Sequence, residues 1–354
     1  MEALAERLKR SGEQCPTLPR RVLITGGGGF IGSHLSELLL DAGAHVTIVD
    51  DFSTGRRENV DAVRSVAARL PRYRVIEGNS SSVLAALDPR DFDGVYHLAA
   101  AVGVRLVVEK PIHTIETNVH ETSAVLRFAA KTSMPILIAS TSEVYGKGVR
   151  VPMREDDDVI YGSTGYSRWC YAASKALDEY LALAYHREHG LPAVIVRFFN
   201  TVGPRQVGEY GMVLPRFVQA ALEGRDLEVH GNGMQSRCFC DVRDVVRALP
   251  QLLSNEACRG RVFNLGRDES ISIRGLAERV IQTLGSRSGI RMVPYEVAFS
   301  AGFDDLQVRQ PDLARIREAI GFTPAISLEQ TILDLASELK HRPFAAQRES
   351  TCPN

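Results

Sequence analysis

Tyr171 and Lys175 lie four residues apart in Arg168-Trp-Cys-Tyr-Ala-Ala-Ser-Lys175. The stretch reads as one helical turn, which puts both side chains on the same cleft. A free phenol ionises at about pH 10. A neighbouring ammonium stabilises the phenolate, which makes Tyr171 a candidate base for a hydroxyl proton near neutral pH. With that proton gone, a hydride can leave the same carbon. An amphipathic helix carrying the two residues by coincidence would read identically, so the pair takes its meaning from what surrounds it.

A hydride needs an acceptor. Val22-Leu-Ile-Thr-Gly26-Gly-Gly-Gly29-Phe-Ile-Gly32 reads as a buried strand, a glycine-rich turn and a helix start. Glycines let the backbone approach a pyrophosphate, and a helix N-terminus favours its charge. A second strand ends at Val49-Asp50-Asp51, where the Asp50 carboxylate can accept hydrogen bonds from adenosine ribose hydroxyls. That carboxylate disfavours a 2′-phosphate, so the spacing points to NAD over NADP, with Arg56 and Arg57 as the opposing sign.

The elements that must position these groups alternate short β-branched runs with longer amphipathic stretches, the pattern of a parallel sheet covered by helices. Strands are expected at residues 22–25, 45–49, 73–77, 94–98, 136–139, 193–198 and 262–265. Ile31, Leu35, Leu38 and Leu39 share one helical face, as do Ile115, Val119 and Leu126. From Gly203 onward the pattern turns irregular, which suggests a smaller second lobe. The 354 residues, 44% of them hydrophobic, suffice for a large core, and a net charge of -1 gives no reason to expect nucleic acid or an anionic membrane as partner. No apolar run has membrane-spanning length, and the charged first 20 residues lack a signal-peptide core, so the expected location is cytoplasmic. Cys15, Cys170, Cys238, Cys240, Cys258 and Cys352 lack CxxC spacing and read as reduced thiols, with no metal site. Cys238 and Cys240 alternate about Phe239 in an expected strand.

The GxxGxxG spacing of Gly26, Gly29 and Gly32, together with Tyr171 and Lys175, resembles the extended short-chain dehydrogenase/reductase family of sugar-nucleotide epimerases and dehydratases, over about residues 21–339. The resemblance implies an α/β fold: a doubly wound Rossmann sheet from residues 21–202 and 239–266, and a smaller α/β nucleotide-sugar lobe from 203–238 and 267–345. An extension, residues 1–20, and a tail, 346–354, flank them. It implies NAD contacts from Gly26, Gly29, Phe30, Ile31 and Gly32 in the first turn. Asp50, Asp51, Phe52, Ser53, Thr54 and Gly55 would follow the second strand. Asn79 and Ser80 stand where the family usually carries an acidic residue against adenine. Leu98, Ala99 and Ala100 of His97-Leu-Ala-Ala100 would line the cofactor beside Tyr171 and Lys175, with Asn118 bracing the sheet.

In this family the chemistry begins with oxidation at sugar C4, Tyr171 taking the O4 proton. The fate of the resulting ketone depends on Thr141, Ser142 and Glu143, just past a strand end. The 4,6-dehydratases carry Asp-Glu there and use the aspartate to expel the C6 hydroxyl; Ser142 removes that acid. Ser-Glu followed by Arg168-Trp-Cys-Tyr171 instead resembles the UDP-glucuronic acid decarboxylases. A C4 ketone makes the C5 carboxylate a β-keto acid, so carbon dioxide departs without an expelling acid, and Arg309 matches the family arginine that binds substrate and assists C5 protonation. The bland alternatives are that Glu143 is a strand-end polar residue, that Arg309 pairs with Asp304 or Asp305, and that Ser142 is a helix cap.

The resemblance further implies a UDP-sugar held by Asn200 of Arg197-Phe-Phe-Asn200, with Gly203-Pro-Arg205 in the same phosphate segment. Val213 and Arg216 would lie over the nucleotide, His230 replaces the usual tyrosine at the base, and Arg237 would grip the diphosphate. Arg105 is the candidate anchor for the sugar carboxylate. Helices at about residues 112–131 and 171–188 resemble those of the family's four-helix homodimer contact. The expected reaction is conversion of UDP-glucuronic acid to UDP-xylose through a UDP-4-keto-pentose that is partly released. A UDP-sugar 4-epimerase is the alternative reaction, and a non-catalytic nucleotide-sugar sensor the alternative class.

Overall fold

The computed structural model describes residues 18–103, 107, 109–206, 212–294 and 307–341. Six strands, β1 (Arg21–Thr25), β2 (His45–Asp50), β3 (Tyr73–Glu77), β4 (Gly94–His97), β5 (Ile136–Thr141) and β6 (Ala193–Phe198), join the Arg261–Leu265 strand in one sheet. The pairing is parallel throughout, in the order Arg261–Leu265, β6, β5, β4, β1, β2, β3. Val22, Leu23 and Ile24 are all fully buried, because a parallel sheet is covered on both faces and its strands are apolar on both. The strand order reverses between β1 and β4, which opens a crevice at their carboxyl ends.

The two faces hold separate cores. Leu35 and Leu39 of the Phe30–Asp41 helix pack with Leu249 and Leu252 of the Val242–Ser254 helix on one face. Val125 and Phe128 of the Pro111–Ala130 helix pack with Ala182 of the Arg168–His189 helix on the other. The smaller lobe is built from the Val213–Leu222, Ile273–Leu284 and Leu328–His341 helices around Leu214, Phe217, Leu276, Val280 and Leu335. A small sheet in it places Ser236–Cys238 between Ser270–Ser272, antiparallel, and Val308–Arg309, parallel.

Three expectations need correction. Leu313, Ile316 and Phe322, inside the segment assigned to the lobe, pack into the core of the main sheet. Cys238 and Cys240 fall in two different short strands, because the chain leaves one sheet and joins another at Phe239. Ile115 is 40% exposed; the face that its helix buries is carried by Thr114, Asn118, Thr122 and Val125. The described cysteines, Cys170, Cys238, Cys240 and Cys258, are free thiols. Among the described residues no helix is long and apolar enough to cross a membrane, and no cluster of metal-binding side chains occurs.

Two buried polar contacts fix the end of the sheet that matters. Asn118 Oδ1 accepts from Ala101 N at 2.8 Å and its Nδ2 donates to Ser174 Oγ at 3.1 Å, tying the loop after β4 to the Tyr171 helix. Arg197 in β6 donates to both oxygens of Glu179, Nε at 2.9 Å and Nη2 at 2.6 Å, and Ser140 of β5 donates to the same carboxylate. Both ionised side chains are 7% exposed. Removing one partner strands the other charge out of water, so Glu179→Gln should cost about 3–5 kcal/mol in urea unfolding. Asp93→Asn, which breaks the exposed Arg21–Asp93 pair, should leave the unfolding midpoint within error.

Candidate active site

The crevice between β1 and β4 has the shape of a dinucleotide site. Gly26 adopts φ +73, and a Cβ there would stand 2.7 Å from Ala99 N. A Cβ on Gly32 would collide with the Gly26 carbonyl oxygen. Both positions must therefore be glycine for the turn to close and the helix from Phe30 to abut it. Asp50 accepts from Gly28 N and Phe52 N, each at 2.8 Å. Burial pushes its pKa up against those two hydrogen bonds, and a Cβ on Gly55 would strike its carboxylate. Asp51 is exposed and accepts from Ser53 N at 2.9 Å and Ser53 Oγ at 2.6 Å, which shapes the Asp51–Gly55 loop around Asp50. Arg57 is held by Glu77 at 2.7 Å and lies 4.5 Å over the Phe52 ring, so it is engaged without a 2′-phosphate. Asn79 Oδ1 accepts from Ser82 N at 3.2 Å and from Ser81 Oγ at 3.4 Å, capping a short helix that begins at Ser80. Leu98, Ala99 and Ala100 run directly on from β4, with Leu98 N bonded to Thr25 O at 3.0 Å. The residues present fit NAD.

At the carboxyl end of β5 the chain turns through Ser142–Tyr145, and Thr141 Oγ1 caps that turn by accepting from Glu143 N at 3.2 Å. The cap is thus Thr141; Ser142 is buried beside it. Tyr171 stands in the first turn of the Arg168–His189 helix. Burial, then the Glu143 carboxylate, push its pKa above the usual phenol value, and the Thr141 hydroxyl pulls it back. This corrects the expected pairing: Lys175 Nζ is turned onto Asp178 Oδ2 at 2.7 Å, with the two side chains 2% and 0% exposed. The resting phenol is consequently neutral. Below Lys175, His97 bonds Thr25 Oγ1 at 2.7 Å and Thr122 Oγ1 at 3.0 Å. Burial and the Lys175 charge drop the His97 pKa to about 3.

Facing Tyr171, Arg309 Nη1 donates to Glu143 Oε1 at 3.2 Å. The second lobe supplies this arginine: Val308–Arg309 pairs with Ser236–Cys238 so that Arg309 lies beside Arg237. Burial alone would push the Glu143 pKa up, but Arg309, Arg168 and Arg237 together hold it below the ordinary value. Glu143 is therefore a carboxylate at neutral pH. Sequence reasoning passed over Arg168 as a site residue; the available signal was its place three residues before Tyr171, one turn away on the same helical face. Three guanidiniums converging on one carboxylate leave excess positive charge for an anionic ligand.

Other candidates lie further out. Asn200 takes φ +26 and donates to Cys238 O at 3.2 Å, so it links the main sheet to the Arg237 strand. Arg205, expected in a phosphate segment, is drawn instead to Glu37 at 2.8 Å, and its backbone N–H to Glu338. Val213 opens the Val213–Leu222 helix, from which Arg216 reaches Glu228 at 3.7 Å. His230 ends the neighbouring strand, its pKa lowered by burial and by Arg216. Arg105, Asp304 and Asp305 lie outside the described residues.

Known proteins resemble the chain along most of its length. The family model of GDP-mannose 4,6-dehydratase matches residues 23–335. A UDP-N-acetyl-alpha-D-glucosaminuronate decarboxylase from Bacillus cytotoxicus is 42% identical, over 88% of this chain and 95% of its own length. UDP-glucuronic acid decarboxylase 1 of Danio rerio is 34% identical over 91% of this chain and 74% of its own. Among solved structures, a UDP-glucuronic acid 4-epimerase from Bacillus cereus, bound to NAD and a fluorinated UDP-glucuronic acid, superposes with a TM-score of 0.77. It is 26% identical and covers 90% of this chain and 99% of its own.

The depressed pKa of Glu143 makes a stability prediction. A carboxyl whose folded pKa lies below its unfolded value contributes stability above about pH 4.3, lost as pH falls through the folded value. Wild-type protein should therefore outlast Glu143→Gln in urea at about pH 7, and the gap should narrow as the pH is taken below about 4.3.

Proposed function

The chain belongs to the extended short-chain dehydrogenases/reductases, the family of GDP-mannose 4,6-dehydratase, and from that premise we propose that it decarboxylates a UDP-linked uronic acid, taking UDP-glucuronic acid to UDP-xylose. The observation that carries this reading is the contact of Glu143 with Arg309, flanked by Arg168 and Arg237 and facing Tyr171. The pocket has positive charge for a sugar carboxylate and, in Ser142, no acid with which to expel a C6 hydroxyl.

NAD is the cofactor, and the Gly26–Gly32 turn, Asp50 and the chain from Leu98 to Ala100 would hold it; when bound it would supply the acceptor for the C4 hydride and the donor for its return, so none is consumed. Tyr171 takes the C4 hydroxyl proton, with Thr141 easing its ionisation. In the resulting β-keto acid the C5–C6 bond breaks, its electron pair passes to the C4 oxygen as an enolate, and carbon dioxide leaves. A proton from solvent water then adds to C5 in place of the lost carboxylate as the enolate reverts to the ketone, leaving hydroxide that neutralises in bulk. Glu143, ionised at neutral pH, is not the resting acid for that step; it orients Arg309, which binds the substrate and assists proton delivery. Tyr171 gives its proton back to O4 as the ketone is reduced.

A second reading concerns C2 alone. The Bacillus cytotoxicus relative, by its name, acts on an N-acetylated glucuronate, and an acetamido group at C2 leaves the C4 to C6 chemistry unchanged. The active unit is a homodimer of this chain. Ile112 and Ile115 on the Pro111–Ala130 helix are 71% and 40% exposed, and Leu177 and Tyr180 on the Arg168–His189 helix 52% and 63%. Each pair is spaced one turn apart on neighbouring helices, an apolar patch suited to burial against a second copy.

Three experiments test these readings. Purified protein given UDP-glucuronic acid or its 2-acetamido counterpart should release carbon dioxide and yield a UDP-pentose by mass spectrometry; an isomer of unchanged mass would make it a 4-epimerase. Tyr171→Phe should lower kcat by roughly 10²–10⁴-fold with bound NAD retained. Leu177→Glu should convert the dimer into monomers by light scattering; a wild type already monomeric would refute the dimer.

A further inference from the structure

Asn264 lies in the Arg261–Leu265 strand and is 0% exposed. Its side chain is fully engaged. Oδ1 accepts from Tyr145 OH at 2.6 Å, and Nδ2 donates to Met153 O at 2.9 Å and Asp312 O at 3.3 Å. Its backbone N–H donates to Glu155 Oε1 at 2.9 Å. The three segments it grips are those that carry the decisive pair. Tyr145 closes the Ser142–Tyr145 turn holding Glu143. Asp312 follows Arg309 by three residues, and Met153 is laced to that same stretch, its N–H to Gln310 O and its carbonyl to Asp312 N, each at 2.8 Å. Tyr145 is braced from the other side by the Arg197 guanidinium, 4.6 Å above its ring.

We infer that Asn264 is the positioning residue that registers Glu143 against Arg309, and that it thereby decides how much of the ketone intermediate is carried to the reduced pentose and how much escapes. Only a neutral amide satisfies this place. It must offer one acceptor to a phenol and two donors to two carbonyls; a carboxylate would turn an acceptor toward those carbonyls, and an aliphatic side chain would leave three buried polar groups unmade. The hydrogen bonds of Asn264 go to Tyr145, Met153, Asp312 and Glu155, and not to Tyr171, Lys175 or the glycine turn. Loosening it should spare C4 oxidation and slow the steps after it.

The inference rests on the decarboxylase reading, and the test separates the two. Tyr145→Phe deletes one hydrogen bond while keeping the ring; Asn264→Asp keeps the shape while reversing two donors. Both should raise the ratio of UDP-4-keto-pentose to UDP-pentose about three- to ten-fold, the worth of about one net hydrogen bond, with Asn264→Asp the larger. The first reduction of bound NAD in a single turnover, read at its near-ultraviolet absorbance, should keep its wild-type rate. A merely structural role would lower the amount of folded enzyme and leave the product ratio alone. Unchanged ratios in the folded Tyr145→Phe protein, or a first oxidation slowed as much as the whole cycle, would overturn the inference while leaving the decarboxylase intact. A wild type that releases no carbon dioxide from either uronate overturns both.

Discussion

One carboxylate held by arginines from two lobes organises this molecule. Glu143 comes from the end of a central strand, Arg309 from a two-residue strand in the smaller lobe, and they meet at 3.2 Å. A charge taken from water survives only beside its opposite. The burial that would neutralise Glu143 is outweighed by Arg309, Arg168 and Arg237. The carboxylate thus collects three cations that would otherwise repel one another, and the pocket keeps a surplus of positive charge for the anionic ligand. The contact joins lobes with separate cores.

Buried charge elsewhere obeys the same logic with different ends. Arg197 and Glu179 form a two-pronged pair beneath the Ser142–Tyr145 turn, rigid because the guanidinium and carboxylate match in plane and spacing. Lys175 and Asp178 form a single contact, and one Asp178 oxygen, Oδ1, is buried without a hydrogen bond. The first pair is a fixed strut. In the second the ammonium meets its carboxylate through one hydrogen, a contact that fixes distance without fixing a plane. The neutral resting state of Tyr171 comes from its enclosure beside two carboxylates.

Much of this was legible in the chain. The seven main strands follow from β-branched runs, because a parallel sheet buried on both faces admits little else. The glycine turn and Asp50 follow from steric necessity: at Gly26 and Gly32 no side chain fits. Tyr171, Lys175, Glu143 and Arg309 were nameable from motif and spacing. Arg205 was misplaced because a motif tells which residue is present and not which carboxylate, here Glu37, lies within its reach. The lobe boundary failed at Leu313, Ile316 and Phe322 because an apolar helix is the same in sequence whichever core it joins.

By itself, the sequence determined everything carried by local sterics and periodicity: the doubly wound sheet, the dinucleotide turn, and the placing of Tyr171 and Lys175 one turn apart on a single helix. The tertiary structure alone decided which charges meet. It turned Lys175 onto Asp178, brought Arg168 and Arg237 to Glu143, and gathered Tyr145, Met153 and Asp312 around Asn264. The physical reason is range. Backbone preference acts over a few neighbouring residues, whereas a buried ion or amide is satisfied by whatever partner the fold delivers, often more than a hundred residues away along the chain, as with Glu143 and Arg309, 166 positions apart.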